Sequence, residues 1–163
     1  MGTLLGGSPT DWPVVRGLAE RAGGYTRTCA FRNADFELLL LNWAPGAASL
    51  IHDHGGQHCW MYVVDGKLDV EDFVRLDPGD VPGYARVEWR DSRRLEAGAM
   101  DLRSGRFDLH RVSAASGTGA VSLHVYAGPL EQFLVYDEAE RRCETARGVY
   151  DDVLTLAEEP ARR

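Results

Sequence analysis

The chain lacks several features that would define whole classes of protein. It has no run of about 18 apolar residues, the least that a membrane-crossing helix needs, so no membrane association is expected. Met1 to Ser8 carry no basic charge ahead of an apolar stretch, so no secretory leader is expected and a cytoplasmic location is. Basic residues are in deficit: 18 Lys and Arg against 25 Asp and Glu leave a net charge of −7. Nucleic-acid binding rests on clustered cations that neutralise phosphates, so no such partner is expected. The one local cluster, Arg86, Arg90, Arg93, Arg94, Arg103 and Arg106, is interleaved with Glu88, Asp91, Glu96, Asp101 and Asp108 and reads as a solvated face. Cysteine is scarce: Cys29, Cys59 and Cys143 make an odd number without C-x-x-C spacing, which argues against a disulfide framework and a structural zinc knuckle. No internal repeat or low-complexity stretch points to a solenoid, and no Gly-x-Ser-x-Gly elbow points to a hydrolase.

What is present suits one domain. A chain of 163 residues, 44% of them hydrophobic, can enclose one continuous core and has no room for a second. Residues 1–24 read as a loose arm and a short helix, capped by Asp11 ahead of Trp12 and Pro13 and ended by Gly23 and Gly24. From Tyr25 the pattern changes to short β-rich runs: Phe36 to Trp43, Cys59 to Val64, Lys67 to Phe73, Tyr84 to Trp89, Phe107 to Val112, Val121 to Tyr126 and Gln132 to Tyr136. Turn signals such as Asp65-Gly66 and Asp77-Pro78-Gly79-Asp80 separate them, which predicts an all-β barrel or sandwich over residues 25–150. Residues 151–163, from Asp151 and Asp152 to the closing arginines, read as a short helical or frayed tail.

The five histidines, His52, His54, His58, His110 and His124, all fall in the β-rich region. His52 and His54 are two apart, so on a strand both imidazoles would point to one face and could reach one metal ion. His110, on a later strand, is the natural third ligand, and three neutral imidazoles suit iron, zinc, copper or nickel on softness alone. His58 fits better as a group that orients a neighbour or faces solvent. Ser122, His124 and Tyr126 alternate along one strand, so their side chains share a face and can form a hydrogen-bonded chain.

The spacing around the first pair resembles the first motif of the cupins. Gly46 stands six residues before His52 and Gly66 seven after Cys59, and Cys59 fills the position where that motif carries an acidic ligand. The resemblance implies a jelly-roll-like β-barrel with the metal in its mouth. Without a carboxylate ligand, Fe(II) would keep its full double positive charge for anionic ligands such as a thiolate, and open positions for dioxygen.

Longer strings narrow the resemblance. Ile51 to Cys59, Leu109-His110-Arg111-Val112, Ser122 to Tyr126 and Tyr25-Thr26-Arg27 together resemble the cysteine dioxygenases. That resemblance implies His52, His54 and His110 as Fe(II) ligands, Arg27 as the clamp on a substrate carboxylate, and Tyr25 as its neighbour. It also implies Tyr126 as a hydroxyl facing the substrate, with a possible Cys59–Tyr126 thioether crosslink, and an enzyme of cysteine catabolism. Phe133 departs from the family pattern, standing where the animal enzymes have a second cysteine. The implied reaction takes L-cysteine and O2 to cysteine sulfinic acid in a monomer or weak homo-oligomer. Two rivals remain: a dioxygenase for another small thiol such as 3-mercaptopropionate, and a non-redox metal-binding cupin acting as an isomerase or a binding module.

Overall fold

A computed structural model describes residues 24–105 and 108–154. The expected N-terminal helix and the end of the C-terminal tail lie outside these residues. The regular secondary structure is all β, with no helix among the described residues long and apolar enough to cross a membrane.

Twelve strands follow in order: β1 (Tyr25–Arg32), β2 (Glu37–Trp43), β3 (Ile51–His52), β4 (Cys59–Asp65), β5 (Lys67–Arg75), β6 (Val87–Glu96), β7 (Met100–Arg103), β8 (Leu109–Ala114), β9 (Ala120–Tyr126), β10 (Gln132–Asp137), β11 (Arg142–Arg147) and β12 (Asp152–Val153). They form two six-stranded sheets, ordered β12-β1-β2-β9-β4-β7 and β11-β10-β3-β8-β5-β6. The chain changes sheet between β4 and β5 at Gly66, whose φ of 75° favours glycine. A side chain there is also excluded, because a Cβ would fall 2.3 Å from the Gly119 carbonyl oxygen.

Alternation sorts the two faces of each strand. In β2, Leu39 and Leu41 point inward and meet Met61 and Val63 of β4; Leu68 and Val70 of β5 and Val112 of β8 close the core from the other sheet. All of these side chains are buried. The same inward faces carry His124, Ser122 and Tyr126 of β9 and Cys59 of β4, so polar groups and core share one layer.

Four expectations need correction. The strand expected at Tyr84 to Trp89 runs instead from Val87 to Glu96, because the Asp77 carboxylate accepts the amides of Gly79 and Arg86 and holds residues 77–86 as a loop. The expected tail begins as a strand, with Asp152 and Val153 pairing in parallel with Thr28 and Cys29 of β1. His54 lies beyond the end of β3, in a loop and not on a strand. The arginine cluster is only partly solvated: Arg103 and Asp101 are buried on the inward face of β7.

Candidate metal centre

The histidines are brought together by strand register. His52 at the end of β3 pairs directly with His110 of β8, and their Nε2 atoms lie 3.2 Å apart. His54 joins them from the following loop, and one nitrogen of each ring lies within 4.8 Å of the others. Asp53, between the two histidines, turns the opposite way. Its buried carboxylate accepts the Gly55 amide at 3.0 Å, the Leu134 amide at 2.9 Å and the Tyr136 hydroxyl at 2.9 Å. These bonds tie the loop to β10 and aim both imidazoles at His110. The role of Asp53 is carried by the His-Asp-His alternation itself, which sequence reasoning used only for its histidines.

All three rings are electrically prepared for a cation. Burial lowers the pKa of His52, and lowers those of His54 and His110 further with help from repulsion among the neighbouring rings. Neutral imidazoles present lone pairs. The Nδ1 of His52 lies 2.9 Å from the Leu50 carbonyl oxygen, which fixes that nitrogen as the donor and leaves Nε2 free to ligate. The Nδ1 of His110 faces Asp101 Oδ2 at 3.9 Å. Behind it lies a lattice of charges: Arg103 meets Asp101 at 2.7 Å, Asp72 at 2.6 Å and Asp108 at 3.0 Å, and Arg93 bridges Asp72 and Asp101. The carboxylates of Asp72, Asp101 and Asp108 behind His110 are thus each matched to a guanidinium. Three neutral nitrogens with no carboxylate in their cluster among the described residues fit a transition-metal ion of borderline softness.

On its other side the cluster opens into a cavity of about 290 Å³, lined by Arg27, Tyr25, His52, His110, His124, Tyr126 and Phe133 among others. Arg27, on β1, carries a buried Nη2 with no hydrogen-bond partner among the described residues. Phe133 stands edge-on to His52, with ring centroids 6.0 Å apart. Tyr25 stacks on Trp43 at 4.5 Å. His54, Ser122 and Cys59 sit behind the cavity wall, and His58 is exposed. Cys29 and Cys143 are buried free thiols.

The alternating triplet on β9 forms a chain, but not the simplest one. Trp43 Nε1 donates to Ser122 Oγ at 2.9 Å, and Ser122 Oγ lies 2.8 Å from His124 Nε2. Indole is a donor only, so the serine hydrogen is free for His124, whose own proton then sits on Nδ1 facing Cys59 Sγ at 4.0 Å. Burial holds the His124 pKa down at about 3, consistent with a neutral ring. Tyr126 stands beside Cys59, its direct cross-strand partner, and the two side chains are close enough to influence each other's pKa. Burial pushes the Cys59 thiol up to about 12 and raises the Tyr126 hydroxyl well above its usual value, so both stay protonated.

Two six-stranded sheets with a histidine cluster between them define a cupin, the double-stranded β-helix class. Solved structures share that fold: a conserved protein with a double-stranded β-helix domain from Klebsiella pneumoniae superposes with a TM-score of 0.54 at 15% identity, over 76% of this chain and 94% of that one. The cupin domain of Schizosaccharomyces pombe Cnp3 gives a TM-score of 0.50 at 9% identity, over 64% and 61%. The particular family is given by sequence: the profile for cysteine dioxygenase type I matches residues 7–139, and the chain belongs to that family. Human cysteine dioxygenase type 1 is 30% identical over 132 residues, which cover 80% of this chain and 63% of the human protein. The match thus spans less than two thirds of that relative's length.

Proposed function

We propose that the chain is an iron-dependent thiol dioxygenase that converts L-cysteine and O2 to cysteine sulfinic acid. The observation that carries this reading is the pairing, among the described residues, of a three-imidazole cluster that contains no carboxylate with an arginine in the same cavity whose buried Nη2 has no hydrogen-bond partner. His52, His54 and His110 are the residues to hold Fe(II), which when bound supplies open coordination positions and the redox chemistry that joins a thiolate to dioxygen. Family membership supports the choice of iron over the other metals that three imidazoles could take.

The protein's own groups then have separable tasks. Arg27 binds the substrate carboxylate through its planar fork and fixes which way the small amino acid points. Tyr126 presents a protonated hydroxyl to the cavity and can donate a hydrogen bond to an anionic ligand there. The chain from Trp43 through Ser122 and His124 holds Cys59, and through it Tyr126, in one arrangement. Tyr25, stacked on Trp43, walls the carboxylate end. The cross-strand placement of Cys59 and Tyr126 supports a thioether crosslink between them, formed with loss of one hydrogen from each side chain to dioxygen.

The reaction is tested by incubating the iron-loaded protein with L-cysteine under oxygen-18 gas. Sulfinate carrying two labelled oxygens is expected; unlabelled or absent sulfinate would remove the proposal. Intact mass before and after turnover reads the crosslink.

A further inference from the structure

The segment from Gly148 to Leu154 runs back along the edge of β1 and walls the cavity through Val149 and Asp151. Its ends are tied: the Gly148 amide donates to the Glu131 carbonyl at 3.2 Å, and the Leu154 amide to the Cys29 carbonyl at 2.8 Å. Between them the Tyr150 hydroxyl donates to the fully buried carboxylate of Glu37 and accepts from Arg32 at 2.7 Å. Asp151 makes two bonds to one residue. Its Oδ2 accepts the Arg27 amide at 2.8 Å, and its own amide donates to the Arg27 carbonyl at 2.9 Å.

Both peptide groups of Arg27 therefore face this strap and are satisfied by Asp151. The far end of the arginine meets the strap as well, since a Cβ on Gly148 would lie 3.8 Å from Arg27 Nη2. A side chain at 148 has no room, because the same Cβ falls 2.1 Å from the Leu130 carbonyl oxygen. The guanidinium has a buried nitrogen with no partner of its own among the described residues, so its aim depends on where its backbone is held. A long, rotamer-rich side chain aimed at a small carboxylate loses binding when its base is free to shift.

We infer that Asp151 is a positioning residue for carboxylate-bearing thiols, acting through the backbone of Arg27 and not by touching the substrate. The inference rests on Arg27 being the carboxylate clamp of the proposed function. It makes the strap, and not only β1, a determinant of which thiols are accepted.

Three thiols and three variants test it in the full-length iron-loaded chain. L-cysteine carries amine and carboxylate, 3-mercaptopropionate only the carboxylate, and cysteamine only the amine. Asp151→Ala is expected to raise KM for the two carboxylated thiols by about 10-fold, the scale of one weakened charged hydrogen bond, with kcat little changed and cysteamine unaffected. Asp151→Asn keeps an acceptor oxygen for the Arg27 amide and is expected to recover most of that loss. Gly148→Ala is expected to follow Asp151→Ala. A second readout needs no turnover: without oxygen, added L-cysteine raises the melting temperature of the wild type by mass action, and this increment shrinks in Asp151→Ala while that from cysteamine stays. If Asp151 instead contacts the amine, both variants weaken L-cysteine and cysteamine and spare 3-mercaptopropionate, which overturns the inference. Equal losses for all three thiols, or none, overturn it too. If the wild type oxidises no thiol at all, the proposed function fails, and the melting increments still decide the role of Asp151.

Discussion

On one side of the three histidines runs a chain of neutral hydrogen bonds, from Trp43 through Ser122 and His124 to Cys59. On the other stand Arg103, Asp101, Asp72 and Asp108, all charged, with Arg103 and Asp101 buried on the strand beside Cys59. The neutral chain borders the cavity, and the charged lattice is closed off behind His110. In a medium of low dielectric an unmatched charge is costly, so each buried carboxylate is met by donors: Asp101 by guanidinium groups, Asp53 by two amides and a tyrosine hydroxyl. Asp151, the one carboxylate lining the cavity among the described residues, is bonded to the backbone of Arg27. The open side thus faces a ligand with a cationic guanidinium and protonated donors, an arrangement complementary to an anion.

The largest effect is expected where the two sides meet. His110→Ala removes one of three converging imidazoles and should abolish tight metal binding, a loss beyond the roughly 10–100-fold typical of removing an outer partner of a ligand. Metal content after desalting, set against oxygen uptake, checks this. Next is the charged side: Asp101→Ala leaves the buried Arg103 short of a partner and should cost about 3–5 kcal/mol in chemical denaturation. The same substitution tests whether the lattice also steadies His110, because iron affinity should then fall with stability. On the open side, Arg27→Gln should raise KM for L-cysteine by about 10–100-fold, matching the roughly 1.5–3 kcal/mol of a charge-assisted hydrogen bond. Cysteamine turnover should not change.

The neutral chain gives the smallest effect near neutral pH and the most pH-dependent one. His124 titrates at 6.5 when exposed and is held at about 3 by burial in the fold, so between these values the unfolded chain binds the extra proton. Stability conferred by the neutral ring is complete above pH 6.5 and falls as the pH drops through that window. Replacing His124 with Gln should flatten the acid side of the stability profile of the metal-free chain by up to about 1.4 kcal/mol per pH unit. An unchanged slope would mean that the ring is solvated and the chain is not sealed.

Much of the barrel was legible because its strands are apolar runs between turn residues, buried almost throughout in Glu37–Trp43 and alternating over the first part of Cys59–Asp65. The histidines stood out because few side chains suit a metal and they fell near one another. Strand β7 was not legible: Asp101 and Arg103 read as solvated charges, and only their register with Met61 and Cys59 reveals that they face inward. β12 was missed for a related reason, since Asp152 and Val153 carry no strand pattern and gain their structure from β1. Sequence periodicity reports which face a residue takes. It does not report which distant partner makes a charge tolerable there.

The central claim is that three neutral imidazoles, with no protein anion, hold one catalytic iron. It is tested most directly by quantifying iron per chain alongside L-cysteine-dependent oxygen uptake in the wild type and in His52→Ala, His54→Ala and His110→Ala. One Fe(II) per wild-type chain, with metal and uptake lost together in each variant, is the expected result. A variant that keeps both its iron and its oxygen uptake would contradict it.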